Sequence, residues 1–256
     1  MSESRAVYSP GDKPDRPAHP AGRLLSSSSI HLILMFRPCP DCGFPIHGHM
    51  NARLYYVHDP MCSWCWGFGK TRERLLQRLP PSIEIVRLLG GLAPDSNEPM
   101  SDEMREYLQQ TWRRIEQRVP GTSFNFDFWQ VCEPRRSTWP ACRAVIAARR
   151  QGATYDEVMT HAIQEAYYRR AMNPADEAVL VTLAGETGLD QASFQKELRS
   201  PAVQEQLQAE MQRGRAMGAT SFPSLILELD GGFRPVPVNY TDEEVMLEAI
   251  RVLTEE

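Results

Sequence analysis

The amino-acid sequence predicts an α/β fold in which a small β-sheet is interrupted by a large all-helical insertion. Three observations lead to this fold class. Residues 54–89 follow the pattern strand, helix, strand; residues 95–217 carry repeated helix-capping signals; and two strands and a helix return after residue 218. We therefore expect one sheet built from the two ends of this region, with the helices between them.

The first strand–helix–strand unit is delimited by residues that break regular structure. Residues 54–57 form a short aromatic and β-branched run typical of a strand, and His58-Asp59-Pro60 ends it. A helical pattern runs over residues 63–79 and stops at Pro80-Pro81. Residues 83–89 predict a second strand, ended by two glycines. Two strands joined by one helix predict a βαβ unit with a right-handed crossover.

Capping residues divide the middle of the chain into helices. Ser101 precedes two acidic residues and an apolar series at helical spacing. Thr154 and Glu157 have the spacing of a capping box. Ser200 precedes a first-turn proline, a typical helix start. About 120 residues, 95–217, are therefore expected to form a helical subdomain.

Strands return near the end of the chain. Residues 224–229 and 233–238 predict a hairpin joined by Asp230-Gly231-Gly232, and its two prolines confine the second strand to an edge. Thr241 and Glu244 have the spacing that starts a final helix. The sheet domain is thus predicted to comprise residues 51–94 and 218–256. Residues 1–50, rich in Pro, Ser and Gly without sustained periodicity, predict an irregular leader.

Composition excludes several classes of function. The formal net charge of −5 gives no electrostatic reason to expect a nucleic-acid partner. No apolar run approaches the ~18 residues that a membrane span needs, so we expect no membrane partner. The apolar run at residues 30–36 is short and lacks a small-residue cleavage site after it, which disfavours a secretory signal. We therefore expect a cytoplasmic protein.

The motif that carries chemistry is Cys62-Ser63-Trp64-Cys65, placed where a strand gives way to a helix. A helix N-terminus offers free N–H groups and a partial positive charge, which stabilise a thiolate. The three-residue offset brings both sulfurs to the same end of the helix, close enough to bond. We therefore expect Cys62 to attack a disulfide and Cys65 to resolve the resulting mixed disulfide.

A second segment, Ser221-Phe222-Pro223, lies between a helix stop and a strand. A proline at this point of a thioredoxin-like sheet is expected to be cis and to face the dithiol. It would hold the backbone of Phe222 open to an extended substrate. The predicted substrate-binding residues are therefore Ser63, Trp64, Phe222 and Pro223.

The segment from Asp59 to Phe68 resembles the active-site segment of DsbA-family predicted protein-disulfide isomerases. Matching pieces at residues 90–92, 139–144 and 218–223 extend the resemblance over about residues 51–256. It implies a thioredoxin-like, DsbA-like fold, with Cys62 as nucleophile, Cys65 as resolving cysteine and Pro223 as the cis-proline. The DsbA of oxidative folding has Pro-His between its cysteines and a signal peptide, and neither is evident here. This departure favours a reductase or isomerase over a periplasmic oxidant.

Two alternatives stay open at this point. Kappa-class glutathione transferases and 2-hydroxychromene-2-carboxylate isomerases share the layout, but they use a serine at the nucleophile position and bind glutathione. A zinc-binding non-enzyme could use Cys39 and Cys42 together with the dithiol, although residues 39–49 are more simply explained as part of the leader. We expect no cofactor beyond the Cys62–Cys65 disulfide, with glutathione as a candidate. The expected partners are a disulfide-containing protein or small thiol substrate and a reductant such as glutathione or a thioredoxin system.

Three further features lie outside the dithiol motif. Asp59 either forms a turn with Pro60, or it caps the helix region or eases proton transfer to Cys65. Cys132 and Cys142 are expected to be buried thiols, with Cys142 a weaker candidate to face the dithiol. The aromatic residues at positions 124, 126, 128 and 129 are expected to form the core of the helical block.

Overall fold

A computed structural model describes residues 52–255 and confirms the predicted fold class. The strands are β1 (Ala52–His58), β2 (Ile83–Leu89), β3 (Ser224–Leu229) and β4 (Gly232–Val236). The helices are α1 (Ser63–Arg78), α2 (Asp102–Arg118), α3 (Phe128–Val131), α4 (Trp139–Arg149), α5 (Tyr155–Tyr168), α6 (Glu177–Glu186), α7 (Gln191–Leu198), α8 (Pro201–Ala216) and α9 (Glu244–Glu255). The leader predicted at residues 1–50 lies outside the described residues.

The four strands form one mixed sheet in the order β2-β1-β3-β4. Strands β1 and β2 are parallel, whereas β3 is antiparallel to both β1 and β4. Tyr55 at the centre of β1 lies opposite Val86 on one side and Ile226 on the other. Strand β4 is the edge predicted from its prolines, since Pro235 lies within it and needs no ladder hydrogen bond on its outer side.

Strand β1 is buried on both faces of the sheet. On one face, Leu54 and Tyr56 pack with apolar residues of α1 and α9, including Phe68 and Ile250. The opposite face buries Tyr55 and Val57 with residues of β3 and the chain after α8. A strand that is covered on both faces is expected to be a nearly continuous run of apolar residues, and residues 54–57 of β1 form such a run. The end of β1, which leads into the dithiol, is therefore held rigidly.

The helical block has its own core around Trp112 of α2. The Trp112 ring lies 4.8 Å from the centroids of Phe124 and Trp129 and contacts two tyrosines near the end of α5. Trp112 is fully buried, as are many of its apolar neighbours. The expectation that the aromatic cluster forms this core is confirmed.

Two of the predicted caps are confirmed with their side-chain hydrogen bonds, Thr154 is the N-cap residue of α5 without that bond, and the start predicted at Thr241 is wrong. Ser101 and Ser200 accept backbone hydrogen bonds at the starts of α2 and α8. Thr154 makes no such bond, because the turn before α5 already supplies carbonyl acceptors for the first N–H groups. The last helix begins at Glu244, later than Thr241 implied, because Asn239 Oδ1 accepts from the N–H groups of residues 241 and 242 and holds them in a turn.

Candidate active site

The dithiol lies at the junction between β1 and α1. Cys62 is the N-cap residue of α1: its N–H donates to the Asp59 carbonyl at 3.0 Å, and its own carbonyl accepts from the N–H of Trp66 at 3.1 Å. Cys62 is 6% exposed and Cys65, almost one turn further along, is 1% exposed. The geometry fits an outer thiol that meets substrate and an inner thiol shielded from solvent, the order in which the sequence analysis assigned them.

The loop before β3 faces the outer thiol. The Phe222–Pro223 peptide bond is cis, as predicted. The Cys62 thiol donates to the Phe222 carbonyl oxygen with Sγ···O at 3.4 Å. The Phe222 ring lies directly over Gly90, where an added Cβ would come within 2.2 Å of ring carbons. A glycine is therefore required at position 90 for the ring to occupy this place.

The two residues between the cysteines have different environments. Ser63 is 8% exposed, and its hydroxyl oxygen accepts a hydrogen bond from the Trp112 indole N–H at 2.9 Å. Ser63 is thus fastened to the helical block, in the wall of the site and not on its surface. Trp64 is only partly buried and packs against Tyr240 with ring centroids 4.9 Å apart.

Two cavities share Trp64 and Phe222, and Cys62 lines the smaller of them. The smaller, of about 160 Å³, lies between the dithiol and the helical block. The larger, of about 580 Å³, extends along the cis-proline loop towards the segment between β4 and α9. Of the predicted substrate-binding residues, Ser63 lines the smaller cavity, Pro223 lines the larger one, and Trp64 and Phe222 line both. The arrangement can hold an extended segment across the outer thiol.

A buried carboxylate stands behind the dithiol. Asp59 is completely buried and accepts four hydrogen bonds. The N–H of Met61 donates to Oδ1 at 2.8 Å; at Oδ2 the N–H of Leu92 donates at 2.8 Å, the Thr138 hydroxyl at 2.6 Å and the Cys142 thiol at 3.4 Å. Burial raises the pKa of Asp59 above its ordinary value, and these hydrogen bonds partly oppose the rise.

This carboxylate explains features that the sequence analysis left open. Asp59 does form the turn with Pro60, through its bond to the Met61 N–H. It does not cap α1, since no side chain caps the first turn of that helix. Cys142 faces this carboxylate, and burial followed by the charge of Asp59 raises the pKa of its thiol well above the ordinary value.

Burial is also the main influence on the pKa of the inner thiol. It raises the pKa of Cys65 well above the ordinary value, and the hydrogen bond and charge of the neighbouring Cys62 raise it further. The negative charge of Asp59 also raises the pKa of this thiol, whereas a backbone hydrogen bond at Asp59 lowers it. Cys65 therefore stays protonated until a base removes its proton.

Sequence reasoning missed two residues of the site. Thr138, just before α4, donates to Asp59, and Arg136 lines the smaller cavity beside Cys62. The resemblance at residues 139–144 pointed to the neighbouring helix start, but no local pattern marked either side chain.

The described residues provide no additional ligands for the zinc-binding alternative. Among residues 52–255, no three His, Cys, Asp or Glu side chains are grouped to hold a metal ion. Cys39, Cys42, His47 and His49 lie outside the described residues. Within the described part of the chain, no helix is long and apolar enough to cross a membrane.

Comparisons with known proteins show which family the chain resembles along most of the described residues. A family model described as a DSBA-like thioredoxin domain matches residues 54–246. A Nitrosomonas europaea protein provisionally assigned as a protein disulfide isomerase is 26% identical, with a TM-score of 0.70 over 80% of this chain and 98% of its own. The cytosolic disulfide reductase DsbM from Pseudomonas aeruginosa is 21% identical, with a TM-score of 0.65 over 80% of this chain and 100% of that one. The ClpXP adapter protein SpxH from Bacillus subtilis (strain 168) is 27% identical over 215 residues, 80% of this chain and 70% of the relative.

Proposed function

Since this chain belongs to the DSBA-like thioredoxin domain family, we propose that it is a thiol–disulfide oxidoreductase that reduces or isomerises disulfides of proteins or small thiols. One observation carries the proposal. The thiol sulfur of Cys62, at a helix start, lies 3.4 Å from the carbonyl oxygen that precedes a cis-proline, and both residues line the smaller cavity. A substrate strand can pair with this loop while its disulfide meets Cys62.

The reaction has two exchanges. The Cys62 thiolate attacks one sulfur of a substrate disulfide; a Cys62–substrate disulfide forms, and the other substrate sulfur leaves as a thiolate and takes up a proton. Cys65 then loses its proton and attacks Cys62 Sγ, which releases the second substrate thiol. Two electrons pass from the dithiol to the substrate, and the Cys62–Cys65 disulfide remains. In isomerisation, a different substrate thiolate instead attacks the substrate sulfur of the mixed disulfide, so that a new substrate disulfide forms and Cys62 leaves as a thiolate.

The second exchange needs a base near Cys65, and Asp59 fits this role. Its carboxylate is the charged acidic group that acts on the buried thiol, and its raised pKa makes it a better proton acceptor than an ordinary aspartate. Thr138 is a positioning residue, since its hydroxyl holds Oδ2 in place. This assigns to Asp59 the proton-transfer role that the sequence analysis considered.

A reductase needs a reductant that returns Cys62 and Cys65 to thiols. Glutathione or a thioredoxin system would do so by the same exchange chemistry, and the cytoplasm supplies such a pool. We therefore propose a cytoplasmic location. The redox-active pair itself is the group that carries the electrons, and no further cofactor enters the reaction.

Trapping experiments test this function. The Cys65→Ser variant should accumulate mixed disulfides through Cys62, because the resolving thiol is gone. The Cys62→Ser variant should neither trap substrate nor reduce an insulin-type disulfide. Cys132→Ser is the matched control, since this half-buried thiol donates to the Ala171 carbonyl in the helical block and should not affect turnover. Normal reduction by Cys62→Ser would refute the proposal, and a glutathione-dependent activity that survives in both cysteine variants would favour the transferase alternative.

A second candidate function is that of an adapter, which binds a protein partner without turnover. It is favoured by the similarity to SpxH and by two exposed apolar side chains at the mouth of the smaller cavity, Leu92 and Tyr107. An adapter would keep its partner bound when Cys62 and Cys65 are both replaced by serine. Loss of all captured partners in that double variant would favour the enzyme.

A further inference from the structure

The smaller cavity beside Cys62 has an unusual charge. Its lining includes two arginines, Arg135 and Arg136, and no acidic residue. The remainder of the wall is apolar or neutral, with the dithiol segment on one side and α2 on the other. The protein as a whole carries a formal charge of −5, so this cationic pair differs from the average surface.

The two arginines are not equivalent. Arg135 is engaged within the protein, because its guanidinium pairs with Asp176 and donates to the Ala175 carbonyl at 2.8 Å. Arg136 has no carboxylate within ion-pair distance among residues 52–255, and it is only partly buried. Its positive charge acts on the buried Tyr167 phenol, which lines the same cavity. Arg136 therefore presents an uncompensated cation to the space next to the outer thiol.

We propose that Arg136 binds a carboxylate of the disulfide substrate, so that the protein favours substrates with a carboxylate close to the reacting cysteine. This inference rests on the proposed function, since it specifies the substrate that Cys62 attacks. A guanidinium binds a carboxylate through two parallel N–H···O bonds, which fixes orientation as well as charge. The substrate sulfur would meet Cys62 while its carboxylate occupies the cavity.

The size of the cavity narrows the substrate class. A cavity of about 160 Å³ has room for a short carboxylate arm, and the remainder of the substrate would lie outside it. Two sources provide such an arm: the carboxylates of a small thiol peptide such as glutathione, and an acidic residue next to a cysteine in a protein. Both present the same chemistry to Arg136.

Three small disulfides separate charge recognition from thiol chemistry. Glutathione disulfide is anionic, bis(2-hydroxyethyl) disulfide is neutral and cystamine is cationic. In Arg136→Gln, the ratio of kcat/KM for glutathione disulfide to that for the neutral disulfide should fall roughly tenfold, as expected for a lost hydrogen bond to a charged group. Arg136→Glu should lower this ratio further and raise the preference for cystamine.

Arg150→Gln is the matched control. It removes one positive charge from the far end of the same helical segment, where Arg150 pairs with Glu197, and it should leave the ratio unchanged. A uniform loss for all three disulfides in Arg136→Gln would overturn the proposal, because Arg136 would then act on the Cys62 thiolate or on folding. An unchanged ratio would overturn it as well.

Binding measurements keep the inference independent of turnover. S-methylglutathione cannot exchange, so its affinity by calorimetry should fall roughly tenfold in Arg136→Gln even if the protein reduces nothing. Amidated peptides with Cys-Glu in place of Cys-Gln distinguish the protein source: a preference for Cys-Glu that Arg136→Gln removes would support acidic protein substrates. Equal binding of S-methylglutathione to both proteins, together with no Cys-Glu preference, would refute the subsite. Absence of turnover with intact binding would refute only the proposed function.

Discussion

We expect replacement of Asp59 by Asn to slow the second exchange, in which Cys65 releases the substrate from Cys62. The substitution removes the acidic group and nearly keeps the size of the side chain. Cys65 is 1% exposed, and burial raises the pKa of its thiol, so solvent is a poor acceptor for its proton. A general base contributes about 10²–10⁴-fold, and we take the lower end, about 100-fold, because Asp59 is held by four other donors.

A second effect opposes this loss. After burial and the influence of Cys62, the charge of Asp59 also raises the pKa of Cys65, so a neutral Asn makes the thiol more acidic. The two effects differ in their pH dependence. In the wild type, the rate of the second exchange should rise through the raised pKa of Asp59 and then level off. In Asp59→Asn, it should keep rising with pH, about tenfold for each pH unit, because solvent base then removes the proton.

Stability provides an independent check with a fixed sign. Burial raises the native-state pKa of Asp59, so the folded protein binds this proton more tightly than the unfolded chain. The wild-type free energy of unfolding should therefore fall as pH rises from the unfolded-state pKa, about 3.9, to the raised native value. For each pH unit that separates the two pKa values, the free energy of unfolding at neutral pH is lower by about 1.4 kcal/mol. Asp59→Asn should lack this slope in urea titrations.

Stopped-flow measurement of thiol release from a preformed Cys62 mixed disulfide gives the rate directly. Asp156→Asn is the matched control, because Asp156 is also a buried carboxylate but pairs with Arg87 of β2 and Arg149 of α4 instead of facing the dithiol. It should lose stability and keep the rate of the second exchange. An Asp59→Asn rate and pH profile equal to the wild type would refute the proton-acceptor role.

Three other changes test neighbouring parts of the site. Thr138→Val removes a hydrogen bond that lowers the pKa of Asp59, so the pH profile of the second exchange should move to higher pH, measured by the same stopped-flow assay. Gly90→Ala forces a methyl group against the Phe222 ring and should cost about 1–3 kcal/mol in urea unfolding and raise KM for peptide disulfides; unchanged values would contradict the packing. The reduction potential of the Cys62–Cys65 pair, measured by equilibration with glutathione buffers, should lie between about −180 and −270 mV. A value near −120 mV would contradict the expectation that Ser-Trp between the cysteines makes the pair less oxidising than a dipeptide with histidine.

The dithiol and the cis-proline could be predicted from sequence because each is marked by a short local pattern. Cys62 and Cys65 follow a strand and open a helix within 14 residues of chain, β1 through Cys65. The fold class was also predictable, since caps and breakers recur along the helical block. Local pattern erred at Thr154, where a preceding turn, invisible in the capping signature, already satisfied the first N–H groups.

The environment of the dithiol could not be predicted, because it is made by distant parts of the chain. The donors to Asp59 include Leu92, 33 residues away, and Thr138, 79 residues away. The indole that binds Ser63 comes from Trp112, 49 residues away. No spacing rule connects such positions, and only the packing of the helical block on the sheet brings them together. The same packing places Arg136 at the cavity.

The helical block therefore shapes the redox site as well as the groove. Ser63 and Trp64 are uncharged, so neither side chain brings a positive charge to Cys62. Both are also held by other residues: the Ser63 hydroxyl oxygen accepts from the Trp112 indole, and the Trp64 ring packs against Tyr240. The local positive groups near Cys62 are therefore the N-terminus of α1 and the Arg136 guanidinium on the smaller cavity. A histidine between the cysteines would add a charge or a strong donor, and a more stable thiolate makes the disulfide more oxidising. Arg136 lines the same cavity as Cys62 but is not part of the dipeptide, so a pair with Ser-Trp between its cysteines should still be more reducing than one with a histidine there.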